Sequence, residues 1–343
     1  MTTIRFGSTG WSLRYRPRAL AAGTACALLA VVVSVLSLGS GDYPIGPADV
    51  VRTLTGGGTP AEDFIVNQLR LPRVVTALLV GAALALAGAL FQSLVRNPLG
   101  SPDILGFTQG AATGALIVVV TGGSSLALAG GALIGGVLTG AAVCALAWRG
   151  GLHSSRLVLV GIGTAAILTG VNGYLLTRAK LMDAARAVLW LTGSLDGRGW
   201  GDAAPLLITL AVLGPVALCG CVRPLNLLHL GDDTAVALGI RVEPLRLLLL
   251  GAAVLLASLA AAAAGPVSFV ALTAPQLAKR LTRAPGPNLA TSMLTGAALL
   301  VTADWAAQHL ISGHQLPVGV VTGVLGGGYL VWLLSTERRA DRI

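Results

Sequence analysis

Long runs without a charged side chain alternate with short polar connections along this chain. The uncharged runs cover residues 19–41, 74–95, 104–148, 157–177, 203–222, 247–278, 284–303 and 305–336. A helix needs about 20 apolar residues to cross the hydrocarbon core, where its backbone must bond within itself. Two runs are too long for one helix: Thr121-Gly122-Gly123-Ser124-Ser125 breaks the third, and Gly265-Pro266 breaks the sixth. Asp304 and Gln308 close a helix that starts near Asn288, and Leu316-Pro317 opens the last one. The pattern predicts an all-α, polytopic membrane protein with ten transmembrane helices. It forms one domain over 1–343, with a polar tail at 1–18, the bundle at 19–336 and a long connection at 223–246.

Composition agrees. Only 11% of the residues are charged and 55% are hydrophobic, whereas soluble domains carry about 25% charged residues. The net charge of +9 would suggest nucleic acid if it were spread evenly, but it is not. With ten spans both termini share a side; that side holds sixteen bases against six acids, and the other holds seven of each, with Asp304 between. The excess is topology plus anionic-lipid contact, with both termini cytoplasmic at the plasma membrane. The first apolar run, 23 residues behind a basic stretch of 18, reads as a span and not as a cleavable leader. The four cysteines lack a CxxC spacing and read as small packed thiols.

The spans are rich in Gly, Ala, Leu and Val, a composition for close helix packing. Residues 78–87 and 248–257 match at seven of ten positions, as an inverted repeat of a transporter would. Ion-coupled carriers generally need ionisable groups inside the bilayer; here only Asp304 qualifies, and a structural role suits it better than proton relay. Energy for transport must then come from elsewhere. His153, His229, His309 and His314 form no HExxH, and no Gly-x-Ser-x-Gly, paired carboxylate or Lys-bearing phosphate loop occurs. No cofactor or metal is expected.

Three connections carry more specific signals. Arg70 and Arg73, in Gln68-Leu69-Arg70-Leu71-Pro72-Arg73, put two guanidinium forks on one side of an outer helix start. They could pair with a partner's carboxylates or anchor to lipid phosphate. On the inside, residues 96–106 contain Asn-Pro and Ser-Pro-Asp, a tight turn in which Ser101 or Asp103 can cap the next helix. The connection 223–246 has apolar residues at Leu227, Leu228 and Leu230, and again at Ala235, Val236 and Leu238. It predicts two short amphipathic helices separated at Gly231, with Asp232 or Asp233 capping the second. Such a pair is too short to span and too apolar for a solvated loop, so it calls for a protein partner or a flat seat on the membrane.

With these segments in order, the sequence resembles the FecCD family of ABC-importer permeases, which serve iron-siderophore, haem and cobalamin uptake. The similarity runs from about Asp42 to Arg339 and is strongest at residues 69–110, 230–239, 264–272 and 316–322. The resemblance implies a ten-span fold, a dimer of permeases around a central path, an extracytoplasmic binding protein docking outside, and two ATPase subunits inside. By position, Arg70 and Arg73 would receive acidic residues of the binding protein. Leu227, Leu228, Leu230, Gly231, Asp232, Asp233, Leu238 and Gly239 would form the ATPase-coupling element, and Ser154 and Ser155 would lie at the cytoplasmic gate. Two departures stand out: Gln308 occupies a position where some members carry another docking arginine, and Pro275-Gln276 replaces the common Pro-His.

The expected function is a permease subunit, not an enzyme, carrying half of the path for a ferric siderophore, with cobalamin or haem as alternative cargo. An ion-coupled carrier, which would depend on Asp304, and a non-transporting scaffold are the rivals from other classes.

Overall fold

The computed structural model describes residues 2–6, 11–311 and 315–340. The tail read as polar carries a hairpin, β1 (Thr2–Phe6) paired antiparallel to β2 (Trp11–Tyr15). Apart from an isolated bridge between Trp148 and Leu152, the regular elements described after it are helices. α1 (Pro17–Gly39) and the short amphipathic α2 (Pro47–Leu54) lead into α3 (Pro60–Asp63), a π-helical stretch Phe64–Arg70 and α4 (Leu71–Val95), which run as one rod, Pro60–Val95. The rod is 36 residues, about 54 Å at 1.5 Å per residue. Thr59 and Glu62 start it with a reciprocal capping box.

The predicted break at 121–125 is present: α5 (Phe107–Val120) ends there, and Ser124 caps α6 (Ser125–Ala147) by accepting from Ala127 N. α7 (Ser154–Arg178) and the short α8 (Leu181–Leu191) follow. α9 (Trp200–Pro215), a second π-helical stretch Val216–Cys221 and α10 (Val222–Leu228) are again continuous. After Gly231 comes α11 (Asp232–Ala237), then α12 (Val242–Ala264), α13 (Val270–Thr282), α14 (Leu289–His309) and α15 (Val318–Ala340).

Among the described residues, seven helices are long and apolar enough to cross a membrane, while α5 and the Val318–Leu333 part of α15 are apolar but shorter. α13 has 13 residues, about 20 Å of rise against a hydrocarbon core of about 30 Å.

The core is built on α4, which packs against α14, α12, α13 and α9. The two copies of the predicted repeat fall on the two most buried long helices, the Pro60–Val95 rod and α12. Glycine makes this possible. A Cβ on Gly81 would collide with Gly296 O across the α4–α14 crossing, and one on Gly88 with Ala271 O of α13. Gly110 and Gly114 of α5 meet Gly131 and Gly135 of α6 in the same manner.

Candidate functional site

Three polar stations lie along the bundle. At the predicted outer face, Arg70 closes the first π-helical stretch and donates to Leu38 O and Tyr43 O, both at 2.7 Å, tying the end of α1 to the start of α4. Arg73, one turn on, forms a fork with Asp304 of α14: Nε to Oδ2 at 3.1 Å and Nη2 to Oδ1 at 3.0 Å. Its Nη1 reaches Gln315 Oε1 at 3.1 Å and Asp196 Oδ1 at 3.5 Å. The Asp304 side chain is 2% exposed and that of Arg73 14%, so this is a buried, bidentate ion pair.

Gln308 explains its own departure here. Its Nε2 donates to Asp304 Oδ2 at 2.8 Å, so a neutral donor completes a pair that a second arginine would overcharge. Arg70, Arg73 and Gln308 line a cavity of about 480 Å³, together with Asp42, Arg198 and Gln315.

Near the end of α4 away from Arg73, Gln276 of α13 donates from one nitrogen to Gln92 Oε1 at 2.6 Å and Pro98 O at 3.0 Å, while buried Gln92 donates to Leu272 O at 3.1 Å. A carboxamide offers two N–H donors on one nitrogen, which an imidazole does not. That is the physical account of Gln276. Elsewhere, two of the segments that carry the family resemblance, 264–272 and 316–322, meet through the backbone of residues 190–194. Gly265 (φ 70°) ends α12 against Trp190 O, Ser194 N donates to Ala264 O at 2.8 Å, and Gly319 N donates to Gly193 O at 3.1 Å. Phe269, left-handed at φ 67°, then starts α13 in the space that Gly326 leaves.

At the other end, Ser154 opens α7 and its Oγ donates to Leu94 O of α4 at 3.3 Å, while Ser155 is exposed. The coupling segment differs from expectation in two respects. Its first helix is not separate: Leu227 and Leu228 end the continuous Trp200–Leu228 helix. The cap of α11 is Gly231 and not an aspartate, because its φ of 114° suits only glycine, and Asp232 and Asp233 occupy the first turn, where they complement the helix dipole. Leu228 and Ala235 bury themselves with Val242, while Leu230, Val236 and Leu238 are exposed, with Gly239 (φ 83°) closing the segment. Asp232 pairs with Arg96 and with Arg246, the latter at 2.7 Å. His229 lies beside this cluster, and partial burial with the charges of Lys279 and Arg96 lowers its pKa.

Sequence reasoning missed Arg246, Glu243, Asp196 and Gln315. The signal for Arg246 was its place one turn into an apolar helix; nothing local marked the others. Among the described residues the four cysteines are free and no metal-ligating cluster occurs. His309 stacks on Trp305, and His314 lies outside the described residues.

A helical membrane bundle with a polar cavity at one end and an exposed leucine-rich segment at the other is the architecture of a transport permease. The chain matches the FecCD transport family over residues 28–336 and belongs to it. It is 46% identical over 310 residues to the ferric enterobactin transport system permease protein FepG of Escherichia coli (strain K12), covering 90% of this chain and 94% of that one. It is 39% identical to the achromobactin transport system permease protein CbrC of Dickeya dadantii (strain 3937), covering 91% and 90%. Among solved structures it superposes on an inward-facing metal-chelate type ABC transporter with a TM-score of 0.81 and 29% identity, covering 92% of this chain and 99% of the other. The chain is thus a multi-pass permease subunit of an ABC importer; ATP is hydrolysed by a separate subunit, and the family implies a binding-protein partner.

Proposed function

We propose that this permease moves ferric siderophores from an extracytoplasmic binding protein to the cytoplasm, as one of two permease subunits at the plasma membrane. The observation that carries the cargo is the 46% identity, over nine-tenths of the chain, to a permease named for ferric enterobactin. Ten crossings, seven by the long helices and three by α5, α15 and the stretch 266–282, in which non-helical residues precede α13, would put both termini in the cytoplasm, consistent with sixteen of the bases on that side.

The exposed Leu230, Val236 and Leu238 form the seat of the ATPase, with Leu227, Leu228, Gly231, Asp232, Asp233 and Gly239 shaping it. Ser154 and Ser155, at the start of α7, mark the gate. α7 faces the second permease across the path: Gly163, Gly170 and Gly173 have nothing within 4 Å of a Cβ position, and such a small-residue face suits helix contact better than lipid.

The binding protein docks over the cavity framed by Arg70 and Arg73. Arg73 is matched by Asp304, so its charge is largely spent inside the chain, whereas Arg70 bonds only carbonyls. Arg178, Lys180 and Arg186 are exposed and pair with no carboxylate among the described residues, so they add the attraction for an acidic partner.

The test is uptake of radio-iron-labelled ferric enterobactin by vesicles containing this permease with its ATPase and binding protein. ATP-dependent uptake is expected; uptake driven by a proton gradient without ATP would overturn the reading.

A further inference from the structure

The coupling segment and the gate turn belong to one closed polar ring. Asp232 of α11 binds Arg96, at the end of α4, through one carboxylate oxygen and Arg246 of α12 through the other. Arg246 Nη1 donates to Leu152 O at 2.7 Å and to Glu243 Oε1 at 3.2 Å, and Glu243 Oε2 accepts from Leu152 N at 2.9 Å. Leu152 thus has both its backbone groups held by α12, two residues before Ser154. Ser154 Oγ bonds Leu94 O, and Leu94 stands two residues before Arg96. The ring joins the cytoplasmic ends of α4, α7 and α12 to the segment on which the ATPase would press.

We infer that Arg96, Glu243 and Arg246 are positioning residues that carry displacement of the coupling segment to the turn at Leu152–Ser154, so that ATPase closure moves the start of α7. This rests on the permease reading above and adds the path of transmission to it. Two features suit a linkage that must change arrangement. Arg96 holds a left-handed backbone, φ 55°, at the joint where α4 ends, so the guanidinium that grips Asp232 stands on a bend and not on a straight rod. The buried Nε of Arg246 has no acceptor, which leaves the guanidinium a spare donor for a second arrangement. A lysine at 246 offers a single point charge that cannot hold Asp232 and Leu152 O as a fork does.

The experiment uses the intact complex of permease, ATPase and binding protein in vesicles, with Arg246→Lys and Glu243→Ala variants. It reads ATPase retention on purification, ATP hydrolysis, and ferric enterobactin taken up per ATP hydrolysed. Both variants should retain the ATPase and keep hydrolysing, while uptake per ATP falls about tenfold. An unchanged ratio in both, or loss of ATPase retention in step with uptake, overturns the inference; the second result would mean that the ring only builds the docking seat. If Arg246→Lys fails to accumulate, Glu243→Ala decides alone, since that side chain is 38% exposed and its removal frees Leu152 N, and with it one of the two holds of α12 on the turn before Ser154. A wild-type complex that captures no ATPase strikes the permease reading, not this one.

Discussion

α4 and α7 are each 25 residues long and both come from apolar runs with glycine, yet they have opposite surroundings. Of the most apolar stretch in the rod containing α4, 78% is buried within the chain; for α7 the figure is 17%. α4 is enclosed by four other long elements, whereas α7 leans on α5 and α6 and leaves a face open. The difference teaches that a glycine-bearing span can serve two purposes. On α4 the small residues admit neighbours of the same chain; on α7 they await something outside it.

The strongest way to break this comparison is to strip α4 of its charge pair. Arg73→Ala strands a buried carboxylate, and thermal unfolding in detergent should show a loss of about 3–5 kcal/mol, much of it restored in the Arg73→Ala/Asp304→Ala double variant. A full-strength Arg73→Ala protein would mean that the Arg73–Asp304 fork does not hold α4 to α14. The same geometry makes charge reversal at Arg73 a poor probe of docking, because it would set two carboxylates together; Arg178, Lys180 and Arg186 are the positions for that experiment.

Next comes close packing. Gly88→Ala forces a methyl onto the α13 backbone and should cost about 1–3 kcal/mol or more. Gly163→Ala on α7 meets nothing and should leave the isolated chain at least as stable, since alanine favours helix over glycine by roughly 0.5–1 kcal/mol, while weakening cross-linking between paired permeases. Equal effects at the two sites in the isolated chain would erase the contrast between the helices.

A smaller effect is expected at Gln276→Ala, which leaves Gln92 Oε1 and Pro98 O without their donor, at about 1–3 kcal/mol. Recovery by Gln276→His in unfolding measurements would contradict the two-donor account.

The smallest concerns His229. Its folded pKa lies below the ordinary imidazole value because of burial and the charges of Lys279 and Arg96, so the unfolded chain binds the proton more tightly. Stability from this site is present above about pH 6.5 and is lost as pH falls through that value. Protection against hydrogen exchange at residues 230–239, taken relative to the unstructured rate at each pH, should fall between pH 7.5 and 5.5, and His229→Gln should remove that fall.

Much of the architecture was readable from residue order. Thr121–Ser125 and Gly265-Pro266 ended helices where glycine and proline forbid their continuation, Asn288 and Pro317 opened others, and Gly231 parted the coupling segment. The cap of α11 was misassigned to aspartate because composition shows which residues can cap but not which φ the chain adopts. Arg70 and Arg73 stood out as outer arginines, but their partners could not be read: Asp304 lies 231 residues from Arg73, and no local pattern encodes a contact at that distance. Asp304 drew notice as an acid within an apolar run, with its partner unknown.

By itself, then, the sequence determined what local chemistry governs: which stretches can leave water, where helices must stop, and which segments belong to the FecCD pattern. Only the tertiary structure decided which apolar helix is core and which is open, which charges are spent inside the chain, and that the coupling segment reaches the start of α7 through Arg246 and Glu243. Solubility in lipid and backbone propensity act residue by residue along the chain, whereas burial and ion pairing are properties of two surfaces brought together by the fold.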